Sequence, residues 1–175
     1  GTLASERDES YKTLIDNLQQ RHHDIINELL PREKQNESLA VCDSLFDSLR
    51  SITQGVFLLG ELSPASLDAI QSFGDLWSTK ILATKLASIG ISTKWIDSRQ
   101  IIRTVAKGDK NVVDVQKTYY RVNEMVESNR ITQLFVLPGF IASDKQGRTT
   151  TLGRGGSDYT ASLYAVGCKA RVLEI

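Results

Sequence analysis

Cysteine, proline, histidine and methionine are scarce in this 175-residue sequence, which has two, three, two and one of them respectively. Cys42 and Cys168 lie far apart without CxxC spacing, and both fall on tracts of apolar periodicity. This pattern predicts two buried, reduced thiols rather than a disulfide framework or a zinc site. His22 and His23 are neighbours on a predicted helix, where adjacent side chains point about 100° apart and do not converge on one ion. We therefore predict no metal site in the chain.

Net charge and long apolar runs are absent as well. The 21 lysines and arginines balance 21 aspartates and glutamates, so no broad positive field would attract nucleic acid or an anionic membrane. No apolar run approaches the ~20 residues of a membrane-spanning helix. The first residues, GTLASERDESYK, lack the pattern of a signal peptide. The sequence predicts a cytoplasmic protein with no nucleic-acid and no membrane partner.

The first half of the sequence contains apolar residues at helical spacing. One tract ends before Pro31 and a second ends near Gly60, which predicts two long helices. Ser63 before Pro64 is typical of a helix N-cap followed by a first-turn proline. We predict a short helix in SPASLDAIQ, a loop in SFGD, and a further helix in LWSTKILATKLASIG that ends at Gly90.

The second half alternates helices with short apolar strands. It predicts strands in STKWID and QLFVLPGF, helices in VQKTYYRVNEMVES and GSDYTASLYAVGC, a hairpin from the turn SDKQGR and the arm TTTL, and a final strand in ARVLEI. This alternation is typical of a layered α/β domain with a mainly parallel sheet. We predict one partial domain over residues 1–175, mainly helical over 1–90 and α/β over 91–175. Because it starts in a helix-like segment and stops in a strand-like one, we expect a piece of a longer protein.

Three glycine-containing loops, SFGD, LPGF and LGRGGSD, are candidates for ligand binding, because ligands of α/β sheets lie where strand ends meet helix N-termini. In the last loop, glycines leave backbone N–H groups accessible, and Arg154 offers a planar guanidinium to a carboxylate or phosphate. The residues alone also allow a tight turn in which Ser157 caps the helix and Arg154 pairs with a surface acid. Asp158 argues against a simple phosphate cradle, because two adjacent anions need a nearby cation.

The longer stretch PGFIASDKQGRTTTLGRGGSDYTA resembles the signature of the aspartokinases, which use ATP to phosphorylate the side-chain carboxylate of aspartate. The upstream stretch SFGDLWSTKILATKLASIGISTKWIDSRQIIRT resembles a second block of the same family. The helical N-terminal half also matches the family in layout, so the resemblance covers essentially the whole chain. The resemblance implies the amino-acid-kinase fold, a three-layer αβα sandwich with a mainly parallel sheet, here partial.

The resemblance also implies functional residues. They are the substrate-binding residues Asp75, Phe140, Arg154, Gly155, Gly156 and Ser157, and the catalytic residue Asp158. Arg154 would hold the α-carboxylate of L-aspartate, and Phe140 would border the bound substrate. Asp158 would help to arrange the phosphate region. Asp75 stands where the family usually has a glutamate for the substrate ammonium group, so its carboxylate is one methylene shorter.

The implied reaction transfers the γ-phosphate of ATP to L-aspartate, the first step of lysine, threonine and methionine biosynthesis, with ATP and Mg²⁺ as cofactors. Family blocks for the catalytic lysine and for most of the nucleotide site would lie before Gly1 and after Ile175, so we expect this piece alone to be inactive. Its parent is expected to be a homo-oligomer, and a fused homoserine dehydrogenase stays an open question. Two alternatives stay open as well: a sister kinase for glutamate or acetylglutamate, and a non-catalytic substrate-binding or regulatory module.

Overall fold

The computed structural model describes residues 1–108 and 110–175, which form two units, Gly1–Ile91 and Ser92–Ile175. The first unit is built from α1 (Thr2–Ser5), α2 (Ser10–Leu29), α3 (Arg32–Leu59) and α4 (Pro64–Ser88). The second contains β1 (Thr93–Trp95), α5 (Ser98–Ile101), β2 (Thr104–Lys107), β3 (Lys110–Val113), α6 (Val115–Glu127), β4 (Leu134–Val136), β5 (Ile141–Ser143), β6 (Thr149–Thr151) and α7 (Gly156–Gly167). Among the helices of these described residues, none is long and apolar enough to cross a bilayer.

The two long helices α2 and α3 end where the sequence predicts. Leu30 leaves the helical conformation directly after α2, and Pro31 takes the N-cap position of α3. Gly60 follows α3 with φ 68°, and its N–H donates to the carbonyl of Val56 at 2.9 Å. A left-handed glycine at this position satisfies a carbonyl that the helix end would otherwise leave unpaired.

Helix α4 is longer than the sequence suggests, and the predicted loop at SFGD is wrong. The hydroxyl of Ser63 accepts a hydrogen bond from the N–H of Ser66 at 3.1 Å, so the predicted N-cap is confirmed. The helix then continues through Gly74 because Phe73 and Trp77 on either side of it are buried. A glycine inside a helix costs only about 1 kcal/mol relative to alanine, which is less than the burial of one such aromatic side chain provides.

Aromatic rings form the centre of the first unit. The rings of Phe46 and Trp77 stack with centroids 4.1 Å apart and an interplanar angle of 15°. His22 lies 4.9 Å from the Trp77 ring and places Nδ1 2.7 Å from the carbonyl oxygen of Leu18. The neighbouring His23 turns away and places Nε2 2.6 Å from an Asp43 carboxylate oxygen. The two histidines therefore have separate structural partners.

The two thiols differ in their surroundings. Cys42 is buried in α3 as predicted, and burial, with a smaller contribution from Asp43, raises the pKa of its thiol to about 11. Cys168 is exposed, so the prediction that it is buried was wrong. It directly follows the last helical residue, Gly167, at a point where the chain leaves the packed face of α7.

Strands in the second unit are short and pair two by two. β1 and β4 are parallel, with Thr93 opposite Leu134, while β2–β3 and β5–β6 are antiparallel hairpins. One isolated parallel bridge joins Arg103 to Ser143. Strands that follow each other within a few residues can pair only as hairpins, so parallel pairing in the described residues is limited to β1–β4 and this bridge.

Helices α6 and α7 pack closely over the core of the second unit. A Cβ built on Gly167 would lie 2.7 Å from Cβ of Val122, so only glycine permits this approach. Seven buried residues form the core: Ile101, Ile102, Val122, Met125, Ala142, Leu163 and Tyr164. The predicted final strand in ARVLEI is wrong, because residues 170–175 form no strand and pair with no described strand that could supply a ladder of hydrogen bonds.

Candidate functional site

The loop between β6 and α7 makes a tight turn on two left-handed glycines. Gly153 has φ 71° and Gly155 has φ 72°, a conformation that costs other L-residues roughly 1–2 kcal/mol. The N–H of Gly156 donates to the carbonyl of Gly153 at 3.0 Å and closes the turn. The LGRGGSD sequence therefore delivers the chain directly into the first turn of α7.

The N-terminus of α7 has no side-chain cap. Gly155 occupies the N-cap position, so the interpretation of Ser157 as the cap is wrong. The backbone N–H groups of Ser157 and Asp158 find no acceptor among the described residues. Unpaired N–H groups at the positive end of a helix favour an anionic ligand.

Arg154 and Asp158 are exposed beside this helix start. Neither forms an ion pair within residues 1–108 and 110–175, so the alternative in which Arg154 pairs with a surface acid is not realised there. A guanidinium and two free N–H groups thus lie within five consecutive residues, 154–158. The carboxylate of Asp158 sits in the first helical turn, where a negative charge also interacts favourably with the helix dipole.

The PGF segment is hydrogen-bonded to the same turn. Phe140 adopts φ 65°, its N–H donates to Oγ1 of Thr160 at 3.0 Å, and its carbonyl accepts from the N–H of Leu152 at 2.9 Å. Thr160 also donates to the carbonyl of Gly156 at 2.8 Å. Of the three predicted ligand loops, LPGF and LGRGGSD therefore meet, while SFGD is part of a helix in the other unit.

Two glycines let these segments approach closely. A Cβ on Gly156 would lie 2.8 Å from Cδ2 of Phe140, and a Cβ on Gly139 would lie 3.0 Å from Oγ and 3.2 Å from Cα of Ser157. The sequence did not predict that Gly139 packs against Ser157, or that Thr160 connects Phe140 to Gly156 by hydrogen bonds. The available signal was a hydroxyl residue one helical turn after Gly156, on the face that α7 buries.

A chain of hydrogen bonds from buried side chains holds the PGF segment at the carbonyl of Pro138. Tyr164 donates from Oη to Oγ of Ser98 at 2.9 Å, and Ser98 donates to the carbonyl oxygen of Pro138 at 2.5 Å. Ser98 is fully buried and Tyr164 almost so, and burial raises the pKa of the Tyr164 hydroxyl. Tyr164 is therefore protonated at neutral pH and able to donate.

Asp75 lies in the first unit, in the middle of α4, whereas the other six predicted site residues lie together in the second. Its side chain is half-buried, and burial raises the pKa of its carboxyl, partly offset by a hydrogen bond to its own backbone. No described cation forms an ion pair with it. A half-buried carboxylate without a cationic partner is suited to accept an ammonium group from a ligand.

The described residues do not provide a set of donors for Mg²⁺. Within residues 1–108 and 110–175, no group of three or more His, Cys, Asp or Glu side chains could hold a metal ion. The candidate loop contributes the single carboxylate of Asp158, and a magnesium ion bound through so few protein donors depends on substrate phosphates.

The sequence pattern of the amino acid kinase family matches residues 7–175. Among curated proteins, the chain is 31% identical over 144 residues to the lysine-sensitive aspartokinase 3 of Escherichia coli, covering 79% of this chain and 32% of that protein. It is 25% identical over 173 residues to the chloroplastic bifunctional aspartokinase/homoserine dehydrogenase 1 of Arabidopsis thaliana, covering 98% of this chain and 19% of that protein. The chain thus spans a third or less of the length of these relatives.

Among solved structures, the chain is again similar to aspartokinases. The structure is similar to E. coli aspartokinase III in complex with lysine and aspartate, with a TM-score of 0.84, 28% identity, and coverage of 97% of this chain and 37% of that one. It is also similar to the same enzyme in complex with aspartate and ADP, with a TM-score of 0.79, 28% identity, and coverage of 89% and 34%. The predicted fold class, a partial α/β amino-acid-kinase fold with a helical N-terminal half, is confirmed.

Proposed function

The chain belongs to the amino acid kinase family, and we propose that it is the aspartate-binding part of an aspartokinase, which transfers the γ-phosphate of ATP to the β-carboxylate of L-aspartate. The observation that carries this proposal is the uncapped start of α7, where Arg154 and the free N–H groups of Ser157 and Asp158 belong to a turn that packs against Phe140 through Gly156. The relatives named above support it, since both are named as aspartokinases.

In this proposal the α-carboxylate of aspartate binds Arg154. A guanidinium matches a carboxylate with two parallel hydrogen bonds, which fixes the orientation of the substrate as well as its position. Gly155, Gly156 and Ser157 line the same site, where Ser157 offers its free backbone N–H, and the ring of Phe140 borders it. Asp158 helps to arrange the region in which the phosphate is transferred.

Asp75 is proposed to receive the substrate ammonium group. Burial disfavours its ionised form, and an ammonium partner would favour that form again, so part of the binding energy offsets the burial of the carboxylate. Aspartate in place of the family's usual glutamate shortens the side chain by one methylene, about 1.5 Å. A longer salt bridge or a bridging water would then lower substrate affinity without changing which substrate is bound.

The chemistry requires no general base from the chain. The β-carboxylate of aspartate has a pKa near 4 and is ionised at neutral pH, so it can attack the γ-phosphorus of ATP directly. ADP leaves, and the product is 4-phospho-L-aspartate, an acyl phosphate. The protein's part is to align two anions and to offset their charge, which agrees with a loop that offers an arginine and N–H groups rather than a histidine.

A pathway role follows from the same proposal. Formation of 4-phospho-L-aspartate would place the parent protein at the first step of lysine, threonine and methionine biosynthesis, with ATP as co-substrate. A cytoplasmic location stays a prediction, because the plant relative is chloroplastic by name. Assembly of the parent into a homo-oligomer stays a prediction too.

Binding of L-aspartate to the 175-residue chain, followed by NMR, tests the first half of the proposal. We expect saturable shifts of the Gly153–Asp158 amides with L-aspartate, weaker ones with L-glutamate and N-acetyl-L-glutamate, and loss of binding in Arg154→Ala. Arg130→Ala is the matched control, since Arg130 is an exposed arginine of the same unit that pairs with Glu127. Equal affinity for glutamate would move the assignment to a sister kinase.

Catalysis is tested in a longer protein that contains these residues. ATP-dependent acyl phosphate, trapped with hydroxylamine, should form with L-aspartate and not with L-glutamate. Arg154→Ala should raise KM for aspartate far more than KM for ATP. If both KM values rose equally, Arg154 would instead contact the phosphates. If neither amino acid gave a product although aspartate bound, the chain would be a non-catalytic binding module.

A further inference from the structure

A group of four cations surrounds a small cavity in the second unit. None of them belongs to the Gly153–Asp158 loop. The cavity has a volume of about 110 Å³, and its lining includes Arg103, Lys117, Arg121 and Lys145. The two arginines are half-buried and the two lysines are exposed, so the lysines form the rim. Drug-sized ligands and cofactors need roughly 300–1,000 Å³, so this cavity suits one small ion.

Few acidic groups offset these four cations. Asp114 is the single carboxylate among the described residues of the lining, and one of its oxygens already accepts from the N–H of Lys117 as the N-cap of α6. Asp144 acts on Arg103 from nearby, but its carboxylate binds Arg148 at 2.7 Å. The described lining therefore carries an excess of positive charge, and clustered like charges are unfavourable unless an anion offsets them.

Arg103 is held in place and is incompletely paired. Its Nη1 donates to Oγ of Ser143 at 2.6 Å and to the carbonyl of Asp144 at 3.2 Å, and its backbone N–H donates to Oγ1 of Thr118 at 3.1 Å. Its Nε is buried and has no acceptor among the described residues. A buried N–H of a charged group without a partner is rare in native proteins and indicates a missing ligand or water.

The lowered pKa of the Arg103 guanidinium also indicates a missing anionic partner. Burial, followed by the positive charge of Arg121, lowers the pKa of its guanidinium, although an arginine stays protonated at neutral pH. An anion in the cavity would offset both effects. The adjacent start of α6 adds the positive end of a helix dipole, already weakened by the Asp114 cap.

We propose that the cavity lined by Arg103, Lys117, Arg121 and Lys145 binds a single phosphate group. A tetrahedral dianion can accept several hydrogen bonds at once from arginine and lysine donors that surround it. The phosphate is either free in solution or the terminal group of a phosphorylated metabolite that enters from the lysine rim. This proposal does not depend on the proposed kinase function, because none of these residues belongs to the aspartate site.

The test is an NMR titration of the 175-residue chain with inorganic phosphate, at constant ionic strength set by chloride. We expect saturable shifts at the Arg103 Nε–H and at the amides of Thr118 and Asp144. The variant K117Q/K145Q changes two exposed side chains and should weaken binding by about tenfold, equivalent to ~1.4 kcal/mol. The control K169Q/R171Q removes the same charge from exposed positions elsewhere in this unit and should leave the affinity unchanged.

Titrations with other ligands distinguish free phosphate from a phosphorylated metabolite and provide results that would refute the site. Glycerol 3-phosphate that binds as tightly as phosphate would identify the terminal group of a larger ligand, and binding of phosphate alone would identify the free ion. Acetate that binds as tightly as phosphate would overturn the assignment to a tetrahedral anion. Shifts that do not saturate, or that weaken equally in both double variants, would show general charge screening and refute the site.

Discussion

Gly156→Ala should destabilise the second unit, although alanine is the better helix former. The new Cβ would lie 2.8 Å from Cδ2 of Phe140 and 3.1 Å from Cβ of Leu152, while carbon atoms prefer a separation of roughly 3.5–4.0 Å. The Phe140 ring would have to shift by about 1 Å. Overpacking of this kind costs roughly 1–3 kcal/mol, and the gain in helix propensity is at most ~1 kcal/mol. We expect the free energy of unfolding to fall by about 1–2 kcal/mol.

Urea denaturation followed by far-UV circular dichroism measures this change. Gly55→Ala in α3 is the matched control. Apart from its chain neighbours and the backbone of its own helix, no atom of the described residues lies within 4 Å of its Cβ position, so the substitution should stabilise by up to ~1 kcal/mol. Phe140→Leu combined with Gly156→Ala completes a double-mutant cycle, and the pair should be less destabilised than the sum of the single variants. If Gly156→Ala stabilised as Gly55→Ala does, or if the cycle were additive, the proposed contact between ring and glycine would be refuted.

Three further predictions concern the first unit and the two thiols. Gly74→Ala should raise the free energy of unfolding by up to ~1 kcal/mol in urea denaturation, and a loss would contradict the continuous helix α4. Because burial raises the pKa of Asp75, its ionised form is disfavoured in the folded state, so its cost to stability grows as pH rises through that pKa. Asp75→Asn should therefore stabilise more at pH 7 than at pH 4, and an equal effect at both would contradict this. Cys168 should react with a thiol reagent many-fold faster than buried Cys42 in the native protein, as mass spectrometry of the labelled peptides would show, and equal rates would contradict their assigned burial.

Predictions from sequence succeeded where the signal was local. Gly153 and Gly155 are needed for a left-handed turn whose geometry depends on neighbouring residues only, and the serine and proline at the start of α4 act within one turn. The SFGD loop failed for the opposite reason. Gly74 has a low helix propensity, and the local sequence therefore predicts a break. Phe73 and Trp77 are buried in the tertiary structure, and the free energy gained by that burial outweighs the low propensity of Gly74.

Long-range features could not be read in advance. The four cations around the small cavity come from the residue before β2, from α6 and from the β5–β6 hairpin. Along the chain, only the four-residue spacing of Lys117 and Arg121 is visible. The role of Thr160 depends on PGF lying against α7. The strand expected in ARVLEI had suitable residues but no described neighbour, and a strand exists only with a partner.

Two sets of hydrogen bonds bear on the kinetics of the candidate site. One runs from Tyr164 through Ser98 to the Pro138 carbonyl, and the other is the bond that the Phe140 N–H donates to Thr160. They hold the backbone of PGF before any ligand arrives, so little conformational entropy remains to be lost there on binding. Association should then follow a single phase whose rate rises linearly with ligand concentration, without a plateau from slow loop ordering. Differences in affinity between ligands would accordingly lie in how long each stays bound.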